Sequence, residues 1–591
     1  MEERNYWYRT LDRRISRRRA LQGALALGTG GVAAAAVACG GEEEGEAPRA
    51  AGPTAPADGK PKPGGTLHAT VSLVLGFDPI KATTFLTHAL ASYCYSRLVR
   101  YKTVAGELPQ EEWYTAVPEL ASSWENPDPT TFIFTINPDA TWHPIDPTNG
   151  RKVTASDVVY AWERYLSVSP NRNNLGSVVE SVQASADDTQ VTFKLKQPFG
   201  LFLNRLASFQ DLWIMPRELI DADGDGEKRM VGSGPFMLDM NQTRRDVRLV
   251  YVKNPNYFEK DADGNRLPYL DALELSILTD VNQVLTQFAA GNLDTITVPP
   301  QLLSSFRSEN PDAIIDLAVS NILSFFYFDP RTYTENLPPF NDERVRQALS
   351  MTLNRDELLQ IASVEGGEWP NIINAGMGSA WWLDPRGPDI GEAGKWYKFD
   401  LAEAKKLLEA AGHGDGFDVN MRFSSSVYTT IVPYYDLVRQ VLGTALRASN
   451  IRVTEVPEEY GVYITTTFVK GPSEGIAWGL ESVYTDVGMY LANMFKPRDA
   501  GGGRNHSEVN DSTLVSMVGD MLKETDTEAL REKNFDIQRY VSGKMYYVPG
   551  VTPRNAGASH PWLKGDVNDT GPTTYAVGTE GALTVWLDRP A

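Results

Sequence analysis

Cysteine is nearly absent from this chain: its 591 residues hold two, Cys39 and Cys94. If Cys39 is modified, Cys94 has no partner and no internal disulfide can form, so stability has to come from core size. Histidine is almost as scarce. His68, His88, His143, His413, His506 and His560 are widely scattered and none pair at metal-ligand spacing. No P-loop, nucleophile elbow, HExxH or CxxC occurs, which leaves no motif for nucleotide, acyl-transfer, zinc or dithiol chemistry. No 18-residue strongly apolar run follows the N-terminal segment, so the body is expected to be soluble. Positive charge is short as well, 56 Lys and Arg against 76 Asp and Glu. From Cys39 onward the balance is 49 to 73, a net of −24, which argues against nucleic-acid binding.

What is present is core material: 42% hydrophobic and 10% aromatic residues over a length that suggests three or four domain-sized units. Residues 1–38 read as a processing segment rather than fold. Ser16 to Gln22, SRRRALQ, resembles a twin-arginine export motif, and a Gly/Ala-rich stretch follows it. Ala36-Val37-Ala38-Cys39 resembles a lipobox. A diacylated Cys39 would anchor the protein at the outer face of the membrane, two acyl chains being enough for stable attachment. Cleavage near Ala38 without lipidation, or an uncleaved anchor, stays open. Residues 39–63 are Gly, Glu, Ala and Pro with almost no large apolar side chain and read as a tether.

The chain is organised around Ser324 to Arg355. Phe325 to Phe328 is an apolar run that reads as a buried strand. Asn341-Asp342 offers side-chain oxygens to a helix that buries Val345, Ala348, Leu349, Thr352 and Leu353. Asn354 with Glu357 forms a capping box for the next helix. Elsewhere, Thr131 to Ile136 and Gln190 to Lys196 alternate as strands. Thr154 and Asp157 cap a helix with a Val158, Ala161, Trp162, Tyr165 stripe. Asp400 caps a helix with Leu401, Ala404, Leu407, Leu408 and Ala411 inward, ended by Gly412.

Several stretches together resemble the family 5 extracellular solute-binding proteins, the peptide, dipeptide and nickel-binding components of ABC importers. PPFNDERVRQALSMTLNRDEL (residues 338–358), VTASDVVYAWER (153–164), FDLAEAKKLLEAAG (399–412), VPELASSWE (117–125), YSRLVRY (95–101) and GSGPF (232–236) match family patterns in order, over roughly Gly64 to the C-terminus. The resemblance implies an α/β fold, a two-lobed clamshell of the type II periplasmic-binding kind with an additional inserted α/β domain. Residues 64–108, 232–325 and 548–591 would form lobe I, 109–231 the insert and 326–547 lobe II. It implies a monomeric binding protein, not an enzyme, that needs no cofactor and delivers peptides to permease subunits. The same fold carrying an oligosaccharide or a nickel chelate, and an exported hydrolase, remain as alternatives.

For the site, Ala477 to Tyr484, AWGLESVY, resembles the family segment in which an acid three residues after a tryptophan holds a peptide's α-ammonium. Here that acid is Glu481, one methylene longer than the usual aspartate. Trp478 and Tyr484 would be walls of the pocket, with Trp381 and Trp382 lining the cavity; for each, ordinary core packing is the competing reading, and for Glu481 a surface position. Asp221 to Gly226 begins like a calcium loop but has Gly232 where the bidentate acid should stand, so a solvated acidic turn competes there.

Overall fold

The computed structural model describes residues 59–82, 84–102, 114–363, 365–425, 435–482, 486–565 and 579–589. Two sheets come from the first-lobe segments. In one, Thr66–Val71 pairs in parallel with Ala272–Ile277, which pairs antiparallel with Arg248–Lys253 and through it with Phe236–Leu238. In the other, Thr552–Ser559, near the end of the chain, lies between Thr295–Val298 and Ile314–Val319. The insert is a four-stranded antiparallel sheet, Ala121–Asp128, Thr131–Ile136, Gln190–Leu195 and Val179–Ala184 in spatial order. The helix Ala155–Val168 covers it and buries Val158, Ala161, Trp162 and Tyr165, the stripe that the spacing predicts. Asp157 accepts from the Thr154 amide at 3.0 Å, completing the cap from the helix side.

The second lobe is built on a five-stranded sheet, Ile451–Glu458, Phe417–Ser424, Ile476–Ser482, Ile322–Phe328 and Val548–Pro549. All seven residues of Ile322–Phe328 are buried. Phe326 and Phe328 face one core, and Leu323, Phe325 and Tyr327 face another. A strand covered on both sides has no polar face, which is why this stretch reads as a continuous apolar run rather than an alternation. The strand belongs whole to this sheet, as does Val548–Pro549. A boundary at 325/326 therefore cuts an element that the hydrogen bonding keeps intact. Behind the sheet, Glu343–Met351 buries Val345, Ala348 and Leu349, with Thr352 and Leu353 following, and Asp342 caps it through the Arg344 amide. Asp400 caps Leu401–Ala410 through Ala402 and Glu403. The inward stripe of that helix is narrower than its pattern suggests: Ala404 and Leu408 are buried, while Leu401 is 40% exposed.

His143 and the Gly232–Phe236 stretch, distant in sequence, meet at the return into the first lobe. The His143 ring takes the Gly232 amide on Nδ1 at 3.1 Å and gives Nε2–H to the Gly234 carbonyl at 3.2 Å. Because Nδ1 is an acceptor, this imidazole is held neutral. A Cβ on Gly232 would lie 1.9 Å from the Cys94 carbonyl oxygen, so the close approach requires glycine. Burial pushes the His143 pKa down to about 4, and that of the buried His88 equally far. Both values lie below that of an unfolded histidine, so the unfolded chain takes up protons first as pH falls. Stability is expected to be full above pH 6.5 and to decline toward pH 4, by about 2–3 kcal/mol for His143 alone. Urea unfolding at pH 7 and pH 4.5 measures this, and His143→Gln should shrink the difference between the two.

Candidate functional site

The strand Ile476–Ser482 carries the sequence-predicted site, and its two-residue period separates the predicted members. Trp478 stands opposite Phe326, with ring centroids 5.0 Å apart, inside the core behind the sheet. Its indole is 1% exposed. Glu481 is on the other face, so the structure does not bring the two together as one pocket wall. Gly479, on the Glu481 face, lets the Tyr327 ring lie flat across the strand; a Cβ there would meet Tyr327 Cε1 at 2.7 Å and the Tyr463 hydroxyl at 2.8 Å. The Tyr327 and Tyr463 hydroxyls are 2.7 Å apart, and Tyr463 donates to the Trp478 carbonyl at 3.1 Å.

Glu481 is 2% exposed and already engaged. Its Oε2 lies 3.0 Å from His506 Nε2, and its Oε1 lies 3.7 Å from Arg504 Nε. His506 is fixed from its other side, Nδ1–H donating to the Phe468 carbonyl at 2.5 Å. Its ring sits among Phe325, Tyr327, Phe468 and Tyr547, with centroids 4.5–6.5 Å away. Burial lowers the His506 pKa, Glu481 raises it, and the charges of Arg504 and Arg498 lower it. Arg504 lies over the Phe468 ring at 5.3 Å. Its charge adds to burial in lowering the pKa of His88, on the first-lobe helix Phe85–Ser92. Tyr490, from the helix Val487–Phe495, adds a buried hydroxyl that has no hydrogen-bond partner among the described residues. That hydroxyl lies in the field of Glu481 and Arg504, and burial raises its pKa strongly.

Trp381 belongs to the large core cluster that also holds Phe325, Tyr327 and Tyr490 and that extends through first-lobe and insert residues, and Trp382 packs against it. Gln538 positions them: it donates to the Trp381 carbonyl at 2.8 Å and accepts from the Leu383 and Asn371 nitrogens at 2.9 and 3.0 Å. Trp381 is buried, and the Trp382 indole nitrogen is buried without a partner among the described residues. Tyr484 and Cys39 lie outside the described residues. The acidic turn after Asp221 spends its carboxylates on neighbours: Asp223 pairs with Arg229 at 2.8 Å, and Asp225 accepts from the Glu227 amide at 3.1 Å. Among the described residues no group of three His, Cys, Asp or Glu side chains is arranged to hold a metal. A groove of about 400 Å³ lined by His68, Glu274, Gln283, Gln287 and Arg589 lies on the first-lobe sheet and shares no residue with the Glu481 cluster.

Sequence reasoning missed Arg504, His506 and Tyr490. His506 was visible as one of six histidines, but a search for metal-ligand spacing does not test for a carboxylate 25 residues upstream.

Residues 115–501 match the family described as "Bacterial extracellular solute-binding proteins, family 5 Middle". The dipeptide-binding protein DppE of Bacillus subtilis is 29% identical over 314 residues, 49% of this chain and 53% of DppE. The chain thus matches about half the length of that relative. Among solved structures, the Helicobacter pylori periplasmic binding protein DppA in complex with peptide STSA superposes with a TM-score of 0.73 at 20% identity, covering 89% of this chain and 99% of DppA. AgaA from A. tumefaciens R10 with agropinic acid gives 0.73 at 19%, again over 89% and 99%. These likenesses establish the fold as the two-lobed periplasmic-binding type.

Proposed function

Because this chain belongs to the family 5 bacterial extracellular solute-binding proteins, we propose that it is the substrate-binding component of an ABC importer that carries peptides to a membrane permease. The family binds solutes outside the cytoplasmic membrane without transforming them, and this chain is accordingly a binding protein and not an enzyme. In this reading the solute lies between the five-stranded sheet and the helix Phe85–Ser92, and lobe closure buries it and presents a surface to the permease. Glu481, Tyr490, Arg504 and His506 form one wall. Trp381 and Trp382 stand beside it, and Tyr484 is kept as a further wall from its place in the sequence. A monomer tethered through a lipidated Cys39 would hold this site close to the permease.

The observation that carries the reading is the Glu481 cluster. It is a buried carboxylate beside a guanidinium whose charge reaches His88 of a first-lobe helix, and it lies near the Tyr490 hydroxyl, which is buried without a hydrogen-bond partner among the described residues. Buried polar groups are otherwise hydrogen-bonded, so an orphan beside a charged cluster marks where a solute's polar group belongs. Peptides would add strand-like backbone pairing and water-filled side-chain pockets, giving broad specificity. Fluorescence titration of ligand-stripped protein with di- to hexapeptides is expected to saturate, while cello-oligosaccharides leave the signal unchanged. Saturation by the sugars alone would replace peptide with saccharide.

A further inference from the structure

We propose that the insert is the latch of the closed protein: it travels with the first lobe and locks onto the second through Arg205 and Gln210, which grip Asn493. The inference rests on reading the chain as two lobes that close over a solute.

The insert is bound to its two neighbours by different chemistry. Toward the first lobe it uses buried ion pairs. Arg164 of the covering helix meets Asp78, and Glu119 lies 3.4 Å from Arg97, all of these side chains being less than a tenth exposed. Arg97 also donates through Nη1 to the Ala207 carbonyl at 2.7 Å. Parting such pairs would strand charge away from water, so the insert and the first lobe move as one body.

Toward the second lobe the bonds are of another kind. Arg205, on the insert helix Phe202–Ala207, donates through Nη2 to Asn493 Oδ1 at 2.9 Å. Asn493 returns a hydrogen from Nδ2 to Gln210 Oε1 at 3.2 Å. It belongs to the helix Val487–Phe495, three residues beyond Tyr490 of the Glu481 cluster. The Gly200 amide donates to the Leu522 carbonyl at 2.9 Å, and the Tyr114 hydroxyl to the Met377 carbonyl at 2.6 Å. Leu201 adds an apolar contact at Gly488, where a Cβ would meet its Cδ1 at 2.7 Å.

Each of these hydrogen bonds has a neutral group on the second-lobe side. The counter-charge of Arg205 is Asp211, 3.3 Å from its Nε and in the insert itself, where Asn174 and Tyr165 hold it at 2.9 and 3.1 Å. When Asn493 withdraws, Arg205 keeps that partner and water takes the amide's place. The contact is therefore made and broken without leaving a charge unpaired, which the ion pairs to the first lobe do not permit. Closing also meets an opposing force. Burial and the Arg205 charge both lower the pKa of Lys496, the residue after this helix, so the closed seam sets two cations against each other.

The test is a pair of distances read by pulsed electron paramagnetic resonance. Nitroxides go on Ser167→Cys in the insert, Lys405→Cys in the second lobe and Asp246→Cys in the first, all exposed positions, in a Cys39→Ser background. Cys94 is fully buried and does not take the label. The 167–246 distance is expected to stay single with and without excess Leu-Leu. The 167–405 distance should take two values, the shorter gaining when Leu-Leu is added. Asn493→Ala should lower the ratio of short to long roughly ten- to a hundredfold, the worth of a charge-assisted hydrogen bond, and weaken Leu-Leu binding. Gln210→Ala should act in the same direction from the insert side. Lys496→Gln should raise the ratio about two- to fivefold, the range of a partly screened charge pair. An unchanged ratio in both Asn493→Ala and Gln210→Ala overturns the latch, as does a 167–246 distance that varies while 167–405 stays fixed. A single 167–405 distance in the wild type under both conditions overturns the latch and lobe closure together. Two distances whose ratio responds to Asn493→Ala but not to Leu-Leu sustain the latch and remove the peptide reading.

Discussion

Arg355→Leu is expected to remove about 3–5 kcal/mol of folding stability, read as a lower urea midpoint at pH 7. Arg355 is 1% exposed. Its guanidinium is held by carbonyl oxygens: Nε and Nη2 donate to the Pro549 carbonyl at 3.2 and 2.7 Å, and Nη1 donates to the Ser350 and Tyr397 carbonyls at 3.2 and 2.8 Å. Nη2 also reaches the Ser350 hydroxyl at 2.8 Å, and the guanidinium lies 5.0 Å from the Tyr397 ring centroid. Burial pulls its pKa down to about 10, which still leaves it charged at neutral pH. Leucine fills the space but leaves the Pro549 and Tyr397 carbonyls without the donor that Arg355 supplies, while the Ser350 carbonyl keeps the Leu353 amide at 3.2 Å; each orphan costs about 1–3 kcal/mol. Pro549 belongs to the strand that returns the chain from the second lobe, so Arg355 ties the helix Arg355–Ala362 to that return. Arg355→Lys keeps the charge but loses the planar fork, and should fall between the wild type and the leucine variant. A leucine variant within about 0.5 kcal/mol of the wild type, the usual range for an ordinary surface change, would show that the network holds nothing together.

Asp78→Ala should cost a similar amount, about 3–5 kcal/mol, by stranding a buried arginine. Asp78 is fully buried between the strand Thr66–Val71 and the helix Phe85–Ser92. It receives the Ile80, Lys81 and Gly226 amides at 3.1, 3.3 and 3.3 Å and both terminal nitrogens of Arg164. Arg164 belongs to the insert's covering helix, so this ion pair joins the insert to the first lobe. Replacing Arg164 by Met in the Asp78→Ala background removes the stranded charge. The double variant should therefore be more stable than the sum of the two single losses, with a coupling of roughly 0.5–3 kcal/mol. Additive losses would mean that Asp78 acts through its amide bonds alone.

Much of the fold could be read from the residues because its signals are local. A capping aspartate, an apolar stripe and a closing glycine lie within one helix, and Asp342, Asp400 and Gly412 behave accordingly. The twofold alternation of Thr131–Ile136 and Gln190–Leu195 is equally self-contained. Pairing across distance was not legible. Arg164 and Gly232 each sit in a stretch that matches the family, yet nothing in a linear sequence says that Arg164 meets Asp78 or that Gly232 meets His143. The site suffered most from this. Trp478 and Glu481 are three apart, an odd spacing, and on a strand an odd spacing puts them on opposite faces. Glu481 was found, but its partners, the partly exposed Arg504 and the buried His506, come from a loop after the helix Val487–Phe495 that no local signal ties to it. Trp381 and Trp382 are placed by Gln538, a contact across more than 150 residues.

The central claim is that this protein closes over one solute molecule and gives it back unchanged. Native mass spectrometry of the mature chain with excess dipeptide, followed by denaturation and analysis of what is released, tests it most directly. One dipeptide per chain, recovered at its original mass, is the predicted result. A chain that never acquires the added mass, or one that returns free amino acids, would contradict it.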